Sequence, residues 1–522
     1  MHIIDLNRSH AKVEIEADIC IVGAGAAGLF IAQRLARAGV RVVVAEAGDK
    51  RPSDTAMAGM SPLFSCATYS GATDGRFFGF GGSTSRWGGL LIPHSAHDIK
   101  PGSADITTWR RIVAIARERG PAVAQQLDLD DLMDAATAAQ LFRHHEAARY
   151  LADSGLCAKY SAYLGFRSRN FAHCLRSRIW GSAGLTVLLN CIVTGWSARP
   201  SNDQVHLEVA HGLSPVGNRT LVRARYFILA AGAIETTRIL LEMSREILPA
   251  LQKTDLGLGL SDHLSIPIAS IGQGADRRVF APRFHRGNMY AIRFVGDECY
   301  VTSPRFFVHF VFDFRGTGVE VVKKVLSSLQ AGRRPKVTLR EAIKAASDVS
   351  KLAQQRFIRK ELHFPNASRV YLQLDVEQER REENRIFLSD TIDARGRLKA
   401  VVEWDIREND RANIRTLTER ILSEWPKRPG KLPALLRLQE SAYNAKPYDA
   451  YHPVGTCRMG VDKKAVVGLD SRVQGAENLF IVSTAVFPTA GTANPTFSML
   501  CLGEELAHLL LAGMIGGPTS SR

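Results

Sequence analysis

The stretch that decides the fold is DICIVGAGAAGLFIAQRLARAGVRVVVAEAG, residues 18–48. It begins with a buried apolar strand, passes through a glycine turn into a helical repeat closed by Gly39, and ends in a second apolar strand. This order predicts a βαβ unit. Gly23, Gly25 and Gly28 have the G-x-G-x-x-G spacing, in which the first glycine allows the turn, the second admits a pyrophosphate and the third lets helix and strand pack. The helix N-terminus then faces the phosphates with its free N–H groups.

Glu46 ends the second strand of this unit, 18 residues after Gly28, where a carboxylate can accept hydrogen bonds from ribose hydroxyls. Ordinary turn glycines are the alternative, but strand, helix and acid in register favour a dinucleotide. Ala47 and Gly48 offer no cation for a 2′-phosphate, and the motif alone does not distinguish FAD from NAD. The residues of this unit predicted to bind the cofactor are Gly23, Gly25, Ala26, Ala27, Gly28, Glu46 and Ala47.

Three further segments are predicted to belong to the same lobe. FFGFGGSTSRWGG, residues 77–89, carries five glycines with hydroxyl side chains and a tryptophan, which favours a loop lying close against a large ligand over a plain surface loop. GLTVLLNCIVTGW (184–196) and ARYFILAAGAIETTRILL (224–241) predict strands, and the latter turns through Gly232 into a helix.

A second lobe is expected because 522 residues exceed one ordinary core. Residues 101–180 have a largely helical pattern, and residues 265–312 alternate in the manner of β-strands. The segments at 369–378, 384–390 and 398–404 continue that style. The prediction is an α/β protein: a Rossmann-like domain plus a domain with an antiparallel sheet and helices. The first domain is assigned residues 1–100, 184–264 and 446–522, and the second residues 101–183 and 265–445.

A basic helical stretch lies in the second domain, at residues 321–361. It has eleven Lys and Arg against three acids, with Leu339, Ile343 and Ala346 at helical spacing. An acidic electron carrier, an acidic substrate, a membrane surface and a merely solvated helical face all remain open. The whole chain has a net charge of +15 but no nucleic-acid-binding module, so no nucleic acid is predicted as a partner.

Cysteine and histidine spacing predicts neither a disulfide framework nor a metal site. The eight cysteines are scattered without a C-x-x-C pair, which favours reduced thiols and a reducing compartment. His94 with His97, and His144 with His145, lack accompanying ligands at metal spacing. The N-terminus shows no secretory signal pattern and no run of about 18 apolar residues is recognised, so the expected location is cytoplasmic.

Two blocks near the C-terminus complete a set of motifs. They are YHPVGTCRMG (451–460) and the block from Gly468 to Leu511 that contains IVSTAVFPTAGTANPTFSM. Together with GAGAAG, GFGGSTSRWGG, ILAAGAIETTRILL and GLGLSDHL (257–264), they occur in the order seen in the glucose-methanol-choline (GMC) flavin oxidoreductases. The sequence resembles that family from residue 18 to residue 510.

The resemblance implies FAD as the cofactor and makes the first domain the FAD-binding one. It places His452 beside the flavin ring, paired with Asn494. Arg86 stands where some sugar-oxidising members have a flavin-linked histidine, so noncovalent FAD is expected; Ser483 replaces an acid that many members have near the phosphates. The further cofactor-binding residues that the resemblance implies are Gly82, Ser83, Thr84, Val193, Ala231, Gly232, Ser483, Thr484, Asn494, Pro495 and Thr496.

The expected reaction is oxidation of an alcohol, because an imidazole can take the hydroxyl proton while hydride leaves carbon for flavin N5. His452 is the predicted base, and Asn494 the predicted hydrogen-bond donor to the developing alkoxide. The GGSTSRWGG loop looks most like bacterial members acting on sugars or glycosides. The expected partners are an alcohol or sugar substrate and an electron acceptor (O2, a quinone or a redox protein). A non-redox lyase of the same fold, an NAD dehydrogenase and a binding protein without chemistry are the alternatives.

Overall fold

A computed structural model of the protein describes residues 1–9, 12–132, 141, 150–175, 183–271, 281–330, 334–360, 362–365, 368–427, 432–438 and 446–516. Of the residues singled out in the sequence, His144 and His145 lie outside these ranges, as do positions 331–333 and 361 of the basic stretch. All eight cysteines lie within the described ranges, and none of them forms a disulfide.

The first sheet has eight strands and contains the βαβ unit. Val13–Val22 lies at its centre and pairs in parallel with Val42–Ala45 on one side and Arg219–Leu229 on the other. Helix Ala26–Arg37 connects the first two of these strands, as the glycine motif predicted. In spatial order the strands are His2–Asp5, Leu185–Leu189, Val42–Ala45, Val13–Val22, Arg219–Leu229, Gln204–Leu213 and Ile192–Ser201, with Leu479–Ile481 also paired to Arg219–Leu229.

Helices cover this sheet because its central strand is apolar along its whole C-terminal half. Ile19, Cys20 and Ile21 are fully buried, which is typical of a parallel strand with both faces covered. Helix Gly232–Glu246 follows its strand through Gly232, and helix Thr496–Gly516 packs on helix Ala26–Arg37. The carboxyl ends of the parallel strands therefore meet the glycine turns at one edge of the sheet.

The second sheet has nine strands, and every pairing in it is antiparallel. Its main order is Leu435–Arg437, His263–Ile271, Arg369–Glu377, Phe306–Asp313, Asn288–Gly296, Leu156–Tyr163 and Leu90–Leu91, with Arg283–His285 on Asn288–Gly296 and Tyr448–Asp449 on His263–Ile271. The predicted fold class, a Rossmann-like domain joined to a domain with an antiparallel sheet and helices, is confirmed.

Two local predictions were wrong. Residues 101–180 were expected to be largely helical, but only Ile106–Gln126 forms a long described helix, and Leu156–Tyr163 is a strand paired along its full length with Asn288–Gly296. A short alternating segment is easily lost within a longer helical pattern. Arg385–Ile392 and Leu398–Glu403 were expected to extend the second sheet. They instead form a separate sheet with Leu63–Phe64.

The domain limits remain a prediction. Three contacts join elements that were assigned to different domains. The small three-stranded sheet packs on helix Gly232–Glu246 of the first lobe. Helix Ile106–Gln126, predicted in the second domain, packs on helix Thr496–Gly516. Leu90–Leu91, predicted in the first domain, pairs with the second sheet. The chain therefore crosses between the lobes more often than the predicted limits assume.

One described helix has a segment, Thr496–Met514, that is long and apolar enough to cross a membrane, although the sequence pattern was not recognised as such a run. In the structure 67% of that segment is buried, against the helices Ala26–Arg37 and Ile106–Gln126. Burial against other helices is the ordinary reason for such an apolar helix in a protein core.

The basic stretch forms two surface helices, Gly318–Gln330 and Leu339–Gln354, followed by a π-helical turn at Gln355–Arg359. Helix Leu339–Gln354 begins with a capping box between Thr338 and Glu341, and none of its residues is buried. Its helical nature was predicted correctly.

Candidate active site

A cavity of about 680 Å³ extends from the glycine turns of the first sheet to the face of the second sheet. Both predicted catalytic residues, His452 and Asn494, line it. Among the residues predicted to bind the cofactor, only Gly28 and Pro495 lie outside its wall. Those that line it are Gly23, Gly25, Ala26, Ala27, Glu46, Ala47, Gly82, Ser83, Thr84, Val193, Ala231, Gly232, Ser483, Thr484, Asn494 and Thr496.

Two glycines shape the nucleotide end of the cavity: one is crowded by the neighbouring backbone, and the other faces open space. A Cβ on Gly28 would lie 1.8 Å from the Gly23 carbonyl oxygen, so the helix can approach the strand only without a side chain there. A Cβ on Gly25 would meet no protein atom within 4 Å, and Gly25 lines the cavity. Gly25 also caps helix Ala26–Arg37 without a side-chain hydrogen bond, so the first N–H groups are open to an anion. This arrangement fits the pyrophosphate of a dinucleotide.

The Glu46 side chain connects the ends of two strands to the glycine-rich loop by hydrogen bonds. Its Oε2 accepts a hydrogen bond from Ala24 N at 2.7 Å, and its Oε1 accepts from Gly48 N at 2.9 Å and Gly79 N at 2.8 Å. Burial raises the pKa of Glu46, and the three N–H donors oppose that rise. A carboxylate offers about four acceptor positions, so this side chain retains capacity for a ribose hydroxyl.

At the other end of the cavity the side chains of His452 and Asn494 are in contact, with 2.9 Å between Nε2 and Nδ2. Arg293 Nη1 donates to Asn494 Oδ1 at 2.6 Å, which fixes the orientation of the amide. Asn494 Nδ2 is then the donor to His452 Nε2, and the His452 proton resides on Nδ1. That nitrogen lies 3.1 Å from Nδ1 of His263, whose Nε2 donates to the Gly491 carbonyl at 2.9 Å. Every group in this chain is satisfied with both rings neutral.

The backbone around His452 is held as firmly as its ring. Tyr451 has a φ of 61°, a left-handed conformation that few non-glycine residues adopt. The N–H of His452 donates to both oxygens of the buried Asp262, at 3.0 and 2.9 Å. The Tyr69 hydroxyl and the N–H of His263 donate to the same carboxylate. The rigid YHP segment thus places one imidazole in a fixed position.

Burial lowers the pKa of His452 well below its ordinary value, and the neighbouring His263 and Arg293 lower it further. Burial also lowers the pKa of His263. A cationic imidazole at this position would lie near the guanidinium of Arg293, which is unfavourable in a dry site. His452 is therefore neutral near pH 7, with its acceptor nitrogen, Nε2, directed at Asn494.

The second sheet contributes six side chains, all but one of them polar, that the sequence reasoning missed. They are Ser265, Arg293, Phe307, His309, Gln373 and Asp375, all lining the cavity. The available signal was a polar residue inside an otherwise apolar strand, such as arginine in MYAIRFVG and histidine in FFVHFVF. Such a residue must face a cavity, a partner or solvent, but the sequence does not say which.

Asp262, His263 and His452 have the composition of a metal site, with ligand atoms within 4.8 Å of one another. Each of these atoms already has a hydrogen-bond partner within the protein, as described above. His94, considered earlier with His97, lies 2.9 Å from Ser498 Oγ through Nδ1 and 3.2 Å from the Ala490 carbonyl through Nε2. We interpret both groups as hydrogen-bonded networks.

Comparison with known proteins agrees with this site. Residues 18–255 match the FAD dependent oxidoreductase family, and residues 380–503 match the GMC oxidoreductase family. The oxygen-dependent choline dehydrogenase of Citrobacter koseri is 43% identical over 61 residues, which are 12% of this chain and 11% of that protein. The corresponding protein of Escherichia coli O45:K1 is 39% identical over 61 residues, with the same coverage of 12% and 11%. The match thus spans about a tenth of the length of these curated relatives.

Two solved structures share the fold over almost the whole chain. Pyridoxine 4-oxidase from Mesorbium loti has a TM-score of 0.54 at 18% identity, covering 94% of this chain and 99% of its own. Aspergillus oryzae RIB40 formate oxidase, in a study of the R554A mutation and FAD modification, has a TM-score of 0.55 at 14% identity, covering 97% and 100%. The chain therefore contains one segment similar to the FAD dependent oxidoreductase family and a second, later segment similar to the GMC oxidoreductase family.

Proposed function

We propose that the protein oxidises an alcohol to the corresponding carbonyl compound. The observation that carries the proposal is the 2.9 Å contact between His452 Nε2 and Asn494 Nδ2 inside the cavity that the glycine turns also line. Oxidation of a hydroxyl group to a carbonyl needs an acceptor for the hydroxyl proton and a hydrogen-bond donor to the oxygen. The imidazole nitrogen and the amide N–H provide these two groups next to one another. FAD, bound along the glycine turns, supplies the hydride acceptor.

In this proposal His452 Nε2 accepts the hydroxyl proton of the substrate, because it is neutral and its ring cannot turn. The N–H of Asn494 donates to the same substrate oxygen and stabilises the negative charge that develops there. Arg293 polarises the amide through its bond to Oδ1 at 2.6 Å. In this proposal these groups together remove the hydroxyl proton of the substrate and bind the substrate oxygen.

The proton that His452 gains can remain on that ring. Once Nε2 is protonated, Nδ1–H still donates to His263 Nδ1, which lies 3.1 Å away and is an acceptor in its neutral form. The His263 tautomer is fixed by the Gly491 carbonyl at 2.9 Å. His263 is therefore a positioning residue, which keeps the His452 acceptor nitrogen facing the substrate.

The test is anaerobic bleaching of the flavin absorbance by a panel of alcohols: sugars, glycosides, aliphatic and aryl alcohols, hydroxy acids, choline and pyridoxine. We expect at least one to reduce the flavin, and we expect His452→Ala to slow that reduction by about 10²- to 10⁴-fold while FAD content is unchanged. Asn494→Ala should also slow it. His508→Ala, at an exposed helix position, is the control. Full reducibility by dithionite with no bleaching by any alcohol would contradict the proposal.

The lyase alternative has no support in the comparisons, where the relatives are dehydrogenases and oxidases. Turnover without any change in flavin absorbance would favour it. Sugar or glycoside oxidation remains the finer proposal, supported only by the resemblance of the glycine-rich loop to bacterial members. O2, a quinone and a redox protein are the electron acceptors to compare.

We infer that the FAD is held noncovalently, because Arg86 stands where the resemblance places a flavin-linked histidine. Acid precipitation of the purified protein should release the yellow flavin into the supernatant. Flavin that stays with the precipitated protein would contradict this inference.

A further inference from the structure

Arg293 is a buried cation that faces the cavity without a carboxylate partner. It lies in strand Asn288–Gly296, lines the cavity and is 6% exposed. Its Nη1 donates to Asn494, and its guanidinium lies over the Phe307 ring, 4.3 Å from the centroid. Within the described ranges no carboxylate oxygen lies within 4.0 Å of it, and the remaining four N–H donors have no hydrogen-bond partner.

The neighbours of Arg293 across the sheet are also basic. Lys159 is its direct partner in strand Leu156–Tyr163. The pairing of Phe294 with Val308 places His309 opposite Arg293 on the other side. Arg293 and Lys159 are like charges opposite one another, which destabilises a sheet, and the neutral His309 does not offset them. Arg293 and His309 line the cavity, so an anion bound there would lie beside the guanidinium and reduce this repulsion.

The nearby acids are already engaged. Asp98 lies 3.7 Å from Lys159 Nζ and accepts hydrogen bonds from Thr492. Asp375 lies 3.2 Å from His309 Nδ1 and also accepts hydrogen bonds from the Ser265 hydroxyl and the Gln373 amide. Asp375 also attracts the Arg293 guanidinium electrostatically, but it makes no direct ion pair with it, and its hydrogen bonds go to other side chains.

We propose that Arg293 binds a carboxylate of the substrate, so that the alcohol oxidised is a hydroxy acid. This inference rests on the proposed alcohol oxidation at His452. Only the Asn494 amide separates the guanidinium from the acceptor nitrogen of His452, with contacts of 2.6 and 2.9 Å on its two sides. A carboxylate on Arg293 thus belongs one or two carbons from the hydroxyl carbon, as in a 2- or 3-hydroxy acid.

The first test measures binding without turnover. The holoenzyme is titrated with benzoate and with benzamide, and perturbation of the flavin spectrum gives the two dissociation constants. We expect benzoate to bind at least about tenfold more tightly than benzamide, the effect of a charge-assisted hydrogen bond. Arg293→Gln should remove that preference and Arg293→Lys should keep part of it. Arg315→Gln, at a side chain 79% exposed, is the matched control.

The proposal is overturned if benzamide binds as tightly as benzoate, or if benzoate produces no perturbation of the flavin. It is also overturned if the benzoate preference survives in Arg293→Gln. The result for Arg293→Gln is interpreted only if the variant retains FAD. The absorbance spectrum shows directly whether it does.

The second test separates charge recognition from the support that Arg293 gives to Asn494. Flavin reduction is compared for pairs that differ only in the anion: glycolate with ethylene glycol, lactate with propane-1,2-diol, mandelate with 1-phenylethane-1,2-diol. We expect the acid of a pair to have the lower KM. Arg293→Gln also removes the support of Asn494 and so slows both members, but it should raise the KM of the acid by about tenfold or more relative to that of the diol. If Arg293→Gln slowed flavin reduction by the acid and by the diol equally, Arg293 would only position Asn494, and the proposal would be overturned. Bleaching by diols or sugars but not by hydroxy acids would overturn it while supporting alcohol oxidation.

A separate observation concerns helix Leu339–Gln354 and the turn after it, which we call the basic helix. Its large apolar side chains point away from the protein: Leu339 is 79% exposed, Ile343 66%, Phe357 68% and Ile358 72%. Half-buried residues such as Ala345 form the opposite face, towards the protein. The helix is therefore amphipathic with its apolar stripe on the outside.

Cations border this stripe. Arg340, Lys344 and Lys351 lie along one side of it at helical spacing, and Lys336 precedes the helix. None of the four has a carboxylate oxygen within 4.0 Å in the described part of the chain; Lys324 alone bridges to Glu341, at 3.5 Å. An exposed apolar stripe with a basic border is the pattern of a helix that lies in the interface of an anionic bilayer.

We infer that the basic helix docks the protein on an anionic lipid surface. Apolar side chains enter the headgroup region while the lysines and arginines meet phosphate. Charge complementarity selects a bilayer with negative headgroups over a neutral one, since each cation near an anionic surface is attracted to it.

The test is co-sedimentation of the holoenzyme with vesicles of phosphatidylcholine containing about one third phosphatidylglycerol, and with pure phosphatidylcholine. We expect binding to the first and at least about tenfold weaker binding to the second. Leu339→Glu with Ile343→Glu should abolish it. Val216→Glu, at an exposed apolar side chain 63% accessible elsewhere on the surface, is the matched control. Absence of binding to the anionic vesicles, or binding that the double variant retains, overturns the inference; an acidic protein partner would then be the occupant to seek.

Discussion

Asp262 supports His452 through the backbone N–H of that residue, and not through its ring. Its carboxylate accepts hydrogen bonds from the N–H of His452, the N–H of His263 and the Tyr69 hydroxyl. Burial nevertheless raises its pKa to about 8. The acid thus holds three segments of the chain at one point, directly behind the imidazole.

Replacement of Asp262 by asparagine should slow flavin reduction by about 10- to 100-fold, because the amide nitrogen, at either oxygen position, faces the His452 N–H that the carboxylate now accepts from, and so shifts His452. The measurement is the anaerobic rate of flavin reduction by the best alcohol, with FAD content as the second readout. Asp203→Asn, at an exposed turn, is the control. An unchanged rate would show that Tyr451 and Pro453 suffice to place the ring.

At this scale the sequence was informative where a role depends on local spacing. His452 and Asn494 were predicted from their motifs, and their side chains meet at 2.9 Å. Asp262 and His263 stood in a recognised block but received no role, because their partners come from distant segments. Arg293 was missed because only strand register decides that it faces the cavity.

Helix Ala26–Arg37 and its glycine turn form the element most fully predicted from the sequence. The reason is that each glycine responds to a local steric demand, which spacing alone reveals. Strand Leu156–Tyr163 and the small sheet of Arg385–Ile392 were wrongly predicted for the opposite reason. Leu156–Tyr163 pairs with Asn288–Gly296, at least 126 residues later (289 − 163), and the third strand of the small sheet, Leu63–Phe64, lies 338 residues before its partner (401 − 63). Pairing over such distances leaves no local signal.

Gly25→Val tests the cofactor role of this element. A side chain at residue 25 would meet no protein atom within 4 Å, so the fold should be retained, but it would occupy the space in front of the helix N-terminus. We expect protein with little or no bound FAD and an unchanged circular dichroism spectrum. Gly513→Val, at an exposed helix position that is equally free of contacts, is the control. A full complement of flavin in Gly25→Val would contradict the assignment of this turn to the pyrophosphate.

The whole molecule keeps four described histidines neutral in its interior. Burial lowers the pKa of His94 to about 4, and it lowers the pKa values of His263, His309 and His452. In the unfolded chain these groups titrate near pH 6.5, so below that pH the unfolded state binds more protons than the folded state. Asp262, whose pKa is raised to about 8, binds one proton more in the folded state and offsets part of this difference.

Because the unfolded state binds more protons than the folded state, the free energy of unfolding falls as pH decreases below about 6.5. The fall is up to about 1.4 kcal/mol per pH unit for each additional proton that the unfolded state binds. Lowered pKa values of about 2 at Asp98 and Asp375 extend the loss in the same direction below pH 4. We expect the Tm of the holoenzyme to drop between pH 7.5 and pH 5.5, measured by calorimetry at constant ionic strength with FAD in excess. His94→Gln, which removes one buried titrating ring, should reduce the slope of Tm against pH. A Tm that is constant or rises towards pH 5.5 would show that the interior accommodates charged imidazoles, and the neutral His452 on which the proposed chemistry depends would lose its basis.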